Sequence, residues 1–538
     1  MIFGLLLAGC APEAATPPGV LVVLQEQQAA WVRNFNPLLA TGGARWPTRS
    51  GIYEPLAVYN RATAAWVPWL ATEWAWDGTT ELRVTIRQGV VWSDGAPFTA
   101  EDVAASFELA RRWPALDGAG VWGFLSSVEA VDASTVRFVF ARPYAPGLSV
   151  LLTQPVVPWH VWREVDDPVA WANPNPVATG PFTEVRRFGT QVWELGRNPR
   201  YWQGAPTVEA LRFPAISSND QALLALVQGE VDWAGSFVPA VERTYEARDP
   251  HFHDWSPPLG DTVFLYTQHA NPALADVRVR KAVSRAIDRA RLVRVAMHDT
   301  TVPSHASALS DAYAAWRRDD LPTDDVRHDP AGAAALLDAA GWTLDPDGRR
   351  RGPDGAPLTL AILVPAGWSD WVRAAQVVHD GLDAVGIDAP VQGLDFGAWF
   401  DRVGRGDFAL SLGWSVSGDT PYAFYRSLLG SDTWVPAGQA AGSNWHRARS
   451  PAADLLLERF EATVELAGQR QVTDALQQVF VDELPSVPLF PSPAWGQCND
   501  TRFVGFPSEA DPYAPLTPNA SPDPLLVLTR LRPREVAP

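Results

Sequence analysis

The chain has 538 residues, a formal net charge of −18 and 47% hydrophobic residues. This length suffices for two to four packed domains, and an aromatic fraction of 11% excludes a disordered chain. The acidic charge argues against nucleic acid or an anionic membrane surface as a partner, because binding to phosphate depends on cationic side chains.

The chain begins with a short apolar run that ends in Leu7-Ala8-Gly9-Cys10. This run is too short to cross a bilayer as a helix, which takes about 20 residues. Its last four residues resemble the lipobox of bacterial lipoproteins, so Cys10 is the predicted lipid-attachment site and residues 1–19 are interpreted as signal remnant, lipobox and Pro-rich tether. A secretory signal requires basic residues before its apolar run, and none precedes Cys10 here. We therefore expect the natural start to lie upstream. The alternative is a frayed apolar terminus with a chance cysteine.

Helix and strand patterns alternate after the tether and predict a mixed α/β architecture. The apolar run at 20–25 is typical of a buried strand, and residues 82–87 alternate like a strand with one solvated face. Thr99, followed by acidic residues in the first turn, predicts a capped helix that ends near Arg112. Further strands are predicted at 211–216, 262–267 and 358–364, and further helices at 219–228, 278–297, 331–340, 371–385 and 452–466.

Three short motifs are better explained as loops than as chemical sites. The glycines of 118–123 follow the end of a helix rather than a strand, so they lack the context of a phosphate-binding loop. His251 and His253 have no further zinc ligands near them. Residues 345–348 lack the later oxygen ligands and the distal glutamate of a calcium-binding loop. No nucleophile elbow, Walker loop or His-Glu-x-x-His motif occurs. The sequence therefore predicts no catalytic site, metal site or cofactor.

Tryptophan is unusually frequent, with 25 residues. An indole offers a flat apolar face with a polar edge, which suits both a packed core and a ligand platform. Those near predicted strands, such as Trp69 and Trp92, are expected in the core. Five others lie in or beside loops rich in Gly, Pro, Ser and Asn and are candidates to line a pocket: Trp46, Trp368, Trp414, Trp445 and Trp495.

A long segment from Leu70 to Val103 includes Trp92-Ser-Asp-Gly95 and is followed in order by recognisable segments at 179–182, 197–202, 226–232 and 276–289. Together they resemble the family five extracytoplasmic solute-binding proteins of ATP-binding-cassette importers. This resemblance implies a two-lobed periplasmic-binding-protein-like α/β fold (type II, cluster C-like) with an extra third domain, in which the lobes close on ligand like a hinged trap. It places lobe I at 20–58, 177–267 and 495–538, the extra domain at 59–176, and lobe II at 268–494.

The loop from Gly413 to Tyr422 bears on the choice of solute. It resembles a family loop that, in peptide binders, carries an aspartate three residues after the tryptophan, where it pairs with the peptide's ammonium group. Here that position holds Ser417, which can hydrogen-bond a hydroxyl but cannot neutralise a cation. Asp419 could substitute for it from two residues along. Segments 368–371, 420–426 and 511–515 are similar to the oligosaccharide-binding branch, in which sugar rings stack on indoles.

The sequence is therefore interpreted as an extracytoplasmic, membrane-tethered lipoprotein, expected to be a monomer, that delivers an oligomeric solute to an ATP-binding-cassette permease. Oligosaccharide is favoured as the ligand, and oligopeptide or dipeptide is the alternative. A secreted glycosidase and a permease-independent sensor are the other functions left open. The predicted ligand-binding residues are Trp46, Trp368, Trp414, Ser417, Asp419, Tyr422, Trp445 and Trp495.

Overall fold

The structure is a computed structural model that describes residues 17–25, 27–39, 47–259 and 261–535. A seven-stranded sheet forms the first lobe. Its central strand, Val20–Leu24, is buried along its whole length and pairs in parallel with Ala210–Pro214 and Trp233–Ala234. An unbroken apolar run suits this position because both faces of the strand are covered. The sheet is completed by Phe182–Phe188, Val192–Arg197, Phe252–Asp254 and Gln497–Asn499. Helices associated with this lobe are Asn219–Val227, Val241–Thr244 and Pro524–Leu528.

The second lobe is built on a five-stranded sheet. The strand Thr262–Thr267 is buried at every position and lies antiparallel to both Leu410–Trp414 and Val487–Pro491. Ile362–Pro365 and Val391–Leu394 extend the sheet as a parallel pair. Its helices are Val277–Ala286, Arg289–Ala296, Pro330–Ala339, Ser369–Asp383, Phe396–Arg405, Tyr422–Leu429, Pro451–Glu461 and Leu466–Glu483.

The third domain is an antiparallel sheet covered by the helix Ala100–Arg112. Thr99 caps this helix, and the Asp102 carboxylate accepts a hydrogen bond from the Thr99 backbone N–H at 2.9 Å, which completes a capping box. The sheet consists of Ala71–Asp77, Glu81–Ile86, Thr135–Phe140 and Leu125–Ala130. Shorter elements of the chain are the turn of helix Thr48–Ile52, the helices Gly147–Thr153 and Trp159–Trp162, and the strand pairs Ala57–Asn60 with Ala65–Pro68, Thr343–Leu344 with Arg350–Arg351, and Phe503–Val504 with Arg532–Pro533.

Two connections join the lobes, one after Asp254 and one after Pro491. They run side by side, because the Trp255 N–H donates to the Gly496 carbonyl at 2.9 Å and the Ser492 N–H donates to the Asp261 carbonyl at 2.7 Å. Such a pair of connections restricts the movement of the lobes to a rotation about one narrow ribbon.

The predicted fold class, two α/β lobes with an extra domain, is confirmed. One boundary needs correction: 262–267 was assigned to lobe I but pairs within the sheet of lobe II. An apolar run identifies a strand without identifying its sheet, so the pattern could not place this boundary. The helix predicted at 278–297 is two helices: the first ends at Ala286, and Asp288 caps the second by accepting a hydrogen bond from the Arg291 N–H. Over the described ranges, no helix has both the length and the apolar character needed to cross a bilayer.

Glu54 connects the third domain to the first lobe. Its fully buried carboxylate accepts hydrogen bonds from Trp69 Nε1 at 2.6 Å, the Tyr201 hydroxyl at 3.0 Å and Trp202 Nε1 at 3.2 Å. Burial raises the pKa of Glu54, and these donors oppose that rise. Trp69 belongs to the third domain and the other two donors to the first lobe, so one carboxylate fixes the domains to each other.

We expect Glu54→Leu to lower the free energy of unfolding by about 3 kcal/mol or more, because two buried donors and one partly buried donor would lose their acceptor. Chemical denaturation followed by circular dichroism measures this loss. Glu164→Leu is the matched control, since the Glu164 side chain is 75% exposed and its removal should cost less than about 0.5 kcal/mol. Equal stability of the two variants would contradict this role of Glu54.

Candidate functional site

Two adjoining cavities lie between the lobes. The first, of about 740 Å³, is walled mainly by aromatic rings and is termed the aromatic cavity. The second, of about 760 Å³, lies between the third domain and the loop 416–419 and is termed the polar cavity. Both are lined by Arg61, Asp261, Asn519 and Ala520, which form the junction between them. Each volume is in the range of about 300–1,000 Å³ that is typical of small-molecule sites.

Aromatic side chains of the second lobe form one wall of the aromatic cavity. Trp414 lies at the centre of this wall. Its ring is nearly parallel to two neighbouring rings: that of Phe396, at 10° and a centroid distance of 6.5 Å, and that of Phe400, at 11° and 6.2 Å. Trp445 meets Trp414 edge-on at 5.4 Å. The wall is completed by Trp368 and Trp371. Near-parallel rings held by edge-on neighbours make a firm surface on which a ring-shaped ligand can stack.

Phe396 and Phe400 are functional candidates that the sequence analysis missed. They lie one turn apart on the helix Phe396–Arg405, and their side chains remain 41% and 39% exposed. Trp399 between them is fully buried, packs with its ring 5.6 Å from that of Phe396 and 5.4 Å from that of Trp414, and donates from Nε1 to Ser411 Oγ at 3.1 Å. The i, i+4 spacing of the two phenylalanines puts both rings on one helix face, and this spacing is the sequence signal that could have identified them as a pair.

The position of Trp414 is fixed by the end of its strand. The Tyr266 hydroxyl donates to the Trp414 carbonyl at 2.9 Å. The next residue, Ser415, exchanges two hydrogen bonds of 3.0 Å with Thr262 on the neighbouring strand. Because the backbone on both sides of the indole is held in the sheet, Trp414 can receive a ligand with little loss of conformational freedom.

Opposite this wall, Trp495 and Phe237 line the cavity from the crossover and the first lobe. Their rings are 5.5 Å apart at 76°, an edge-on arrangement that holds each in place. Trp495 lies on the ribbon between Pro491 and Gln497, which joins the lobes. The aromatic cavity therefore has rings on both sides of the hinge.

Several buried polar atoms around the aromatic cavity have no hydrogen-bond partner within the described part of the chain. They are Gln27 Oε1, Ser236 Oγ, Asp261 Oδ1, Trp445 Nε1 and Asn519 Oδ1, and each residue lines this cavity. A buried polar atom without a partner costs about 1–3 kcal/mol, and a ligand or solvent molecule that reached these atoms from the cavity would offset that cost.

Charged groups concentrate at the junction. Arg61 Nε contacts Asp523 Oδ2 at 2.9 Å. Burial raises the pKa of Asp261, while Arg61 and a hydrogen bond from Ser417 oppose that rise. Burial likewise raises the pKa of Asp419 in the polar cavity, where Ser149 is the main opposing group. The Arg61 guanidinium thus faces the carboxylates of Asp523 and Asp261. Because negative charge is in excess, this junction favours ligand groups that donate hydrogen bonds over ligand groups that carry negative charge.

The predicted site residues divide between the two cavities. Trp368, Trp414, Trp445 and Trp495 line the aromatic cavity, whereas Ser417 and Asp419 line the polar cavity. Trp46 and Cys10 lie outside the described residues.

Tyr422 lies apart from both cavities, which corrects its assignment to the ligand site. It is 3% exposed, donates its hydroxyl to Glu461 Oε1 at 2.6 Å and stacks on Phe460 at 5.2 Å. Its hydroxyl also lies 3.5 Å from that of Tyr144 in the third domain. As the first residue of the helix Tyr422–Leu429, it is turned toward the neighbouring helix rather than along the preceding loop. It contributes to packing between the third domain and the second lobe.

The lobes also touch at one edge of the aromatic cavity. The Asn219 N–H donates to the Gly367 carbonyl at 3.2 Å, and Asn219 Nδ2 donates to Asp370 Oδ1 at 3.0 Å. A β-carbon built on Gly367 would lie 2.9 Å from the Ser217 carbonyl oxygen, so the two backbones are nearly in contact. The structure therefore represents lobes closed on each other.

No group of three or more His, Cys, Asp or Glu side chains that could hold a metal ion is found among residues 17–25, 27–39, 47–259 and 261–535. His251 and His253 instead both contact Asp500, at 2.6 and 3.5 Å.

Comparison with known proteins points to one family. The sequence profile of the bacterial extracellular solute-binding proteins, family 5 Middle, matches residues 65–435. A Brucella ovis protein whose assigned name is that of an ABC transporter peptide-binding protein is 29% identical over 318 residues, 57% of this chain and 58% of the relative's length. The chain thus spans less than two thirds of that relative. The nickel-binding periplasmic protein of Escherichia coli is 26% identical over 427 residues, which cover 75% of this chain and 78% of that protein.

Solved structures extend this likeness to nearly the whole chain. The periplasmic oligopeptide-binding protein of an ABC transporter from Thermotoga maritima superposes with a TM-score of 0.88 at 25% identity, over 96% of this chain and 99% of that one. A second crystal structure of the same protein, with bound mannohexaose, gives the same score over 97% and 100%.

Proposed function

Because the chain belongs to family 5 of the bacterial extracellular solute-binding proteins, we propose that it captures an oligosaccharide outside the cytoplasm and delivers it to the permease of an ATP-binding-cassette importer. Trp414 and the rings around it stack the sugar, and closure of the lobes buries it. Binding rather than catalysis is the function. Lipid attachment at Cys10 and a monomeric state remain predictions from the sequence.

The observation that carries this proposal is the aromatic cavity with its unpartnered polar atoms. Sugar rings present apolar C–H faces to indoles and hydroxyls at their edges, so they need aromatic platforms together with hydrogen-bonding groups. Trp414 and Trp495 supply platforms on opposite sides, and Gln27, Ser236 and Asn519 supply uncharged groups between them. The mannohexaose bound to the Thermotoga maritima protein is consistent with this ligand class.

Oligopeptide is the second candidate, and Asp419 is the residue that favours it. Its carboxylate lines the polar cavity, and a peptide's ammonium group would offset the cost of burying it. The peptide-binding name of the Brucella relative points the same way. Ser417, at the position where peptide binders carry the aspartate, argues against it because a hydroxyl cannot neutralise a cation.

Calorimetric titration separates these ligands. Protein freed of co-purified ligand by unfolding and refolding is titrated with mannohexaose, cellohexaose and xylohexaose, and separately with mixed tri- to pentapeptides. We expect micromolar or tighter binding of at least one hexasaccharide and no peptide response. The sugar should be recovered intact after overnight incubation, since shortened products would indicate a glycosidase. Tight peptide binding without a sugar response would contradict the proposal.

A further inference from the structure

We infer that a single ligand occupies both cavities and passes through the junction, where Asp261 and Asn519 accept hydrogen bonds from its hydroxyls. The protein would then select oligomers too long for the aromatic cavity alone. This inference rests on the proposed function and adds to it the length of the ligand and the residues that recognise its central part.

Continuity of the two cavities is the first argument. Four residues line both, and they come from different parts of the molecule: Arg61 from the third domain, Asp261 from the crossover, and Asn519 and Ala520 from the C-terminal segment of the first lobe. The cavities are thus compartments of one cleft. Their volumes of about 740 and 760 Å³ together exceed the range of about 300–1,000 Å³ that one small-molecule ligand usually occupies.

The second argument is the fixed orientation of two acceptors at the junction. Asn519 Nδ2 donates to the Gly235 carbonyl at 2.7 Å, so its amide oxygen, which is buried and unpartnered within the described chain, is held at the junction. The Asp261 backbone carbonyl accepts from the Ser492 N–H at 2.7 Å, and its carboxylate oxygen Oδ1 is likewise buried without a partner there. Both residues line each cavity, so a chain passing between the cavities runs alongside both side chains.

The balance of donors and acceptors gives the chemical class. Of the unpartnered atoms around the aromatic cavity, Gln27 Oε1, Asp261 Oδ1 and Asn519 Oδ1 can only accept, Ser236 Oγ can do either, and Trp445 Nε1 can only donate. The site therefore calls for a ligand rich in hydrogen-bond donors. Each unit of a sugar chain carries several hydroxyls, each of which can donate, whereas a peptide backbone offers a single N–H on each residue.

Chain length provides the test. Wild-type protein is titrated calorimetrically with mannose, mannotriose and mannohexaose, and with the corresponding cello- and xylo-oligosaccharides. We expect the hexasaccharide of the bound series to bind at least about tenfold more tightly than the trisaccharide, because it adds hydrogen bonds at the junction and contacts in the polar cavity.

Two variants test whether the tighter binding of the hexasaccharide arises at the junction. Ala520→Leu adds bulk at the junction and should leave trisaccharide affinity within about threefold while removing the hexasaccharide gain. Asp261→Ala should weaken hexasaccharide binding by about tenfold through loss of a charged acceptor. Ala205→Leu is the matched control, because Ala205 is an exposed alanine that lines neither cavity. Thermal unfolding confirms that each variant is folded.

The outcomes separate this inference from the proposed function. If none of the sugars binds the wild-type protein, the proposed function fails and the inference fails with it. If sugars bind but tri- and hexasaccharides bind equally, or if folded Ala520→Leu retains the full gain, the inference is overturned while the proposed function stands.

Discussion

Replacing Trp414 by alanine is expected to weaken ligand binding by about 100-fold or more. The indole stands at the centre of the aromatic wall and contacts the rings of Phe396, Phe400 and Trp445. Its removal deletes a stacking face and also the neighbour against which those rings are ordered. Truncation of a central aromatic contact typically costs 2–4 kcal/mol, and each 1.4 kcal/mol is about a tenfold change in affinity.

Calorimetry with the hexasaccharide that binds wild-type protein measures this loss. Trp434→Ala is the matched control: Trp434 is a partly exposed tryptophan of the same lobe that lies 3.5 Å from the Arg449 guanidinium and lines neither cavity. We expect its affinity to match that of wild type. A Trp414→Ala protein that is folded and binds within threefold of wild type would rule out the aromatic wall as the ligand platform.

Gly367→Ala is expected to weaken binding by about tenfold, through closure of the lobes rather than through the ligand. The added methyl group would lie 2.9 Å from the Ser217 carbonyl oxygen across the edge of the cleft. Overpacking of this kind costs about 1–3 kcal/mol and applies only when the lobes are in contact. The closed form is thus penalised while the open form is unaffected, and ligand affinity falls with the population of the closed form.

Two measurements distinguish this mechanism from general destabilisation. We expect small-angle scattering of Gly367→Ala with subsaturating ligand to show a larger radius of gyration than wild type, whereas the melting temperature without ligand should be unchanged. Gly404→Ala is the control, since a β-carbon at this helical position would have its nearest contact at 4.0 Å and alanine favours a helix over glycine. An unchanged affinity in Gly367→Ala would show that the lobe contact at Asn219 and Gly367 does not limit binding.

Local patterns in the sequence predicted elements well where neighbouring residues decide the structure. The strand Thr262–Thr267 has the predicted bounds, and Thr99 caps the helix that it was predicted to begin. The assignment of that strand to a sheet depended on pairing with Leu410–Trp414, about 150 residues away, which no local pattern encodes. The prediction of a single helix over 278–297 was wrong. Asp288 caps the N-terminus of a second helix, although the periodic spacing of apolar residues continues across this break.

The candidate site likewise contains residues that local sequence patterns predicted and residues that they did not. Loop composition selected Trp368, Trp414, Trp445 and Trp495, all of which line one cavity, since large rings in polar loops have few other places to pack. The same reasoning misassigned Tyr422, because a helix start fixes a side-chain direction that the loop sequence does not reveal. Asp261, Asn519 and Ala520 were missed altogether, because the crossover that carries Asp261 and the C-terminal segment that carries the other two are more than 250 residues apart in the sequence and meet only in the fold.

The carboxylate of Glu54 has a consequence for how a long solute of the kind proposed above would enter. By tying Trp69 to Tyr201 and Trp202, it makes the third domain travel with the first lobe as one jaw. The opposing jaw carries both Trp414 and the loop with Ser417 and Asp419. One rotation about the hinge therefore opens the aromatic and polar cavities together. An oligomer can then enter the cleft sideways along its whole length, without one end having to pass first through a narrow opening. Loading and release would then depend little on which end of the chain arrives first.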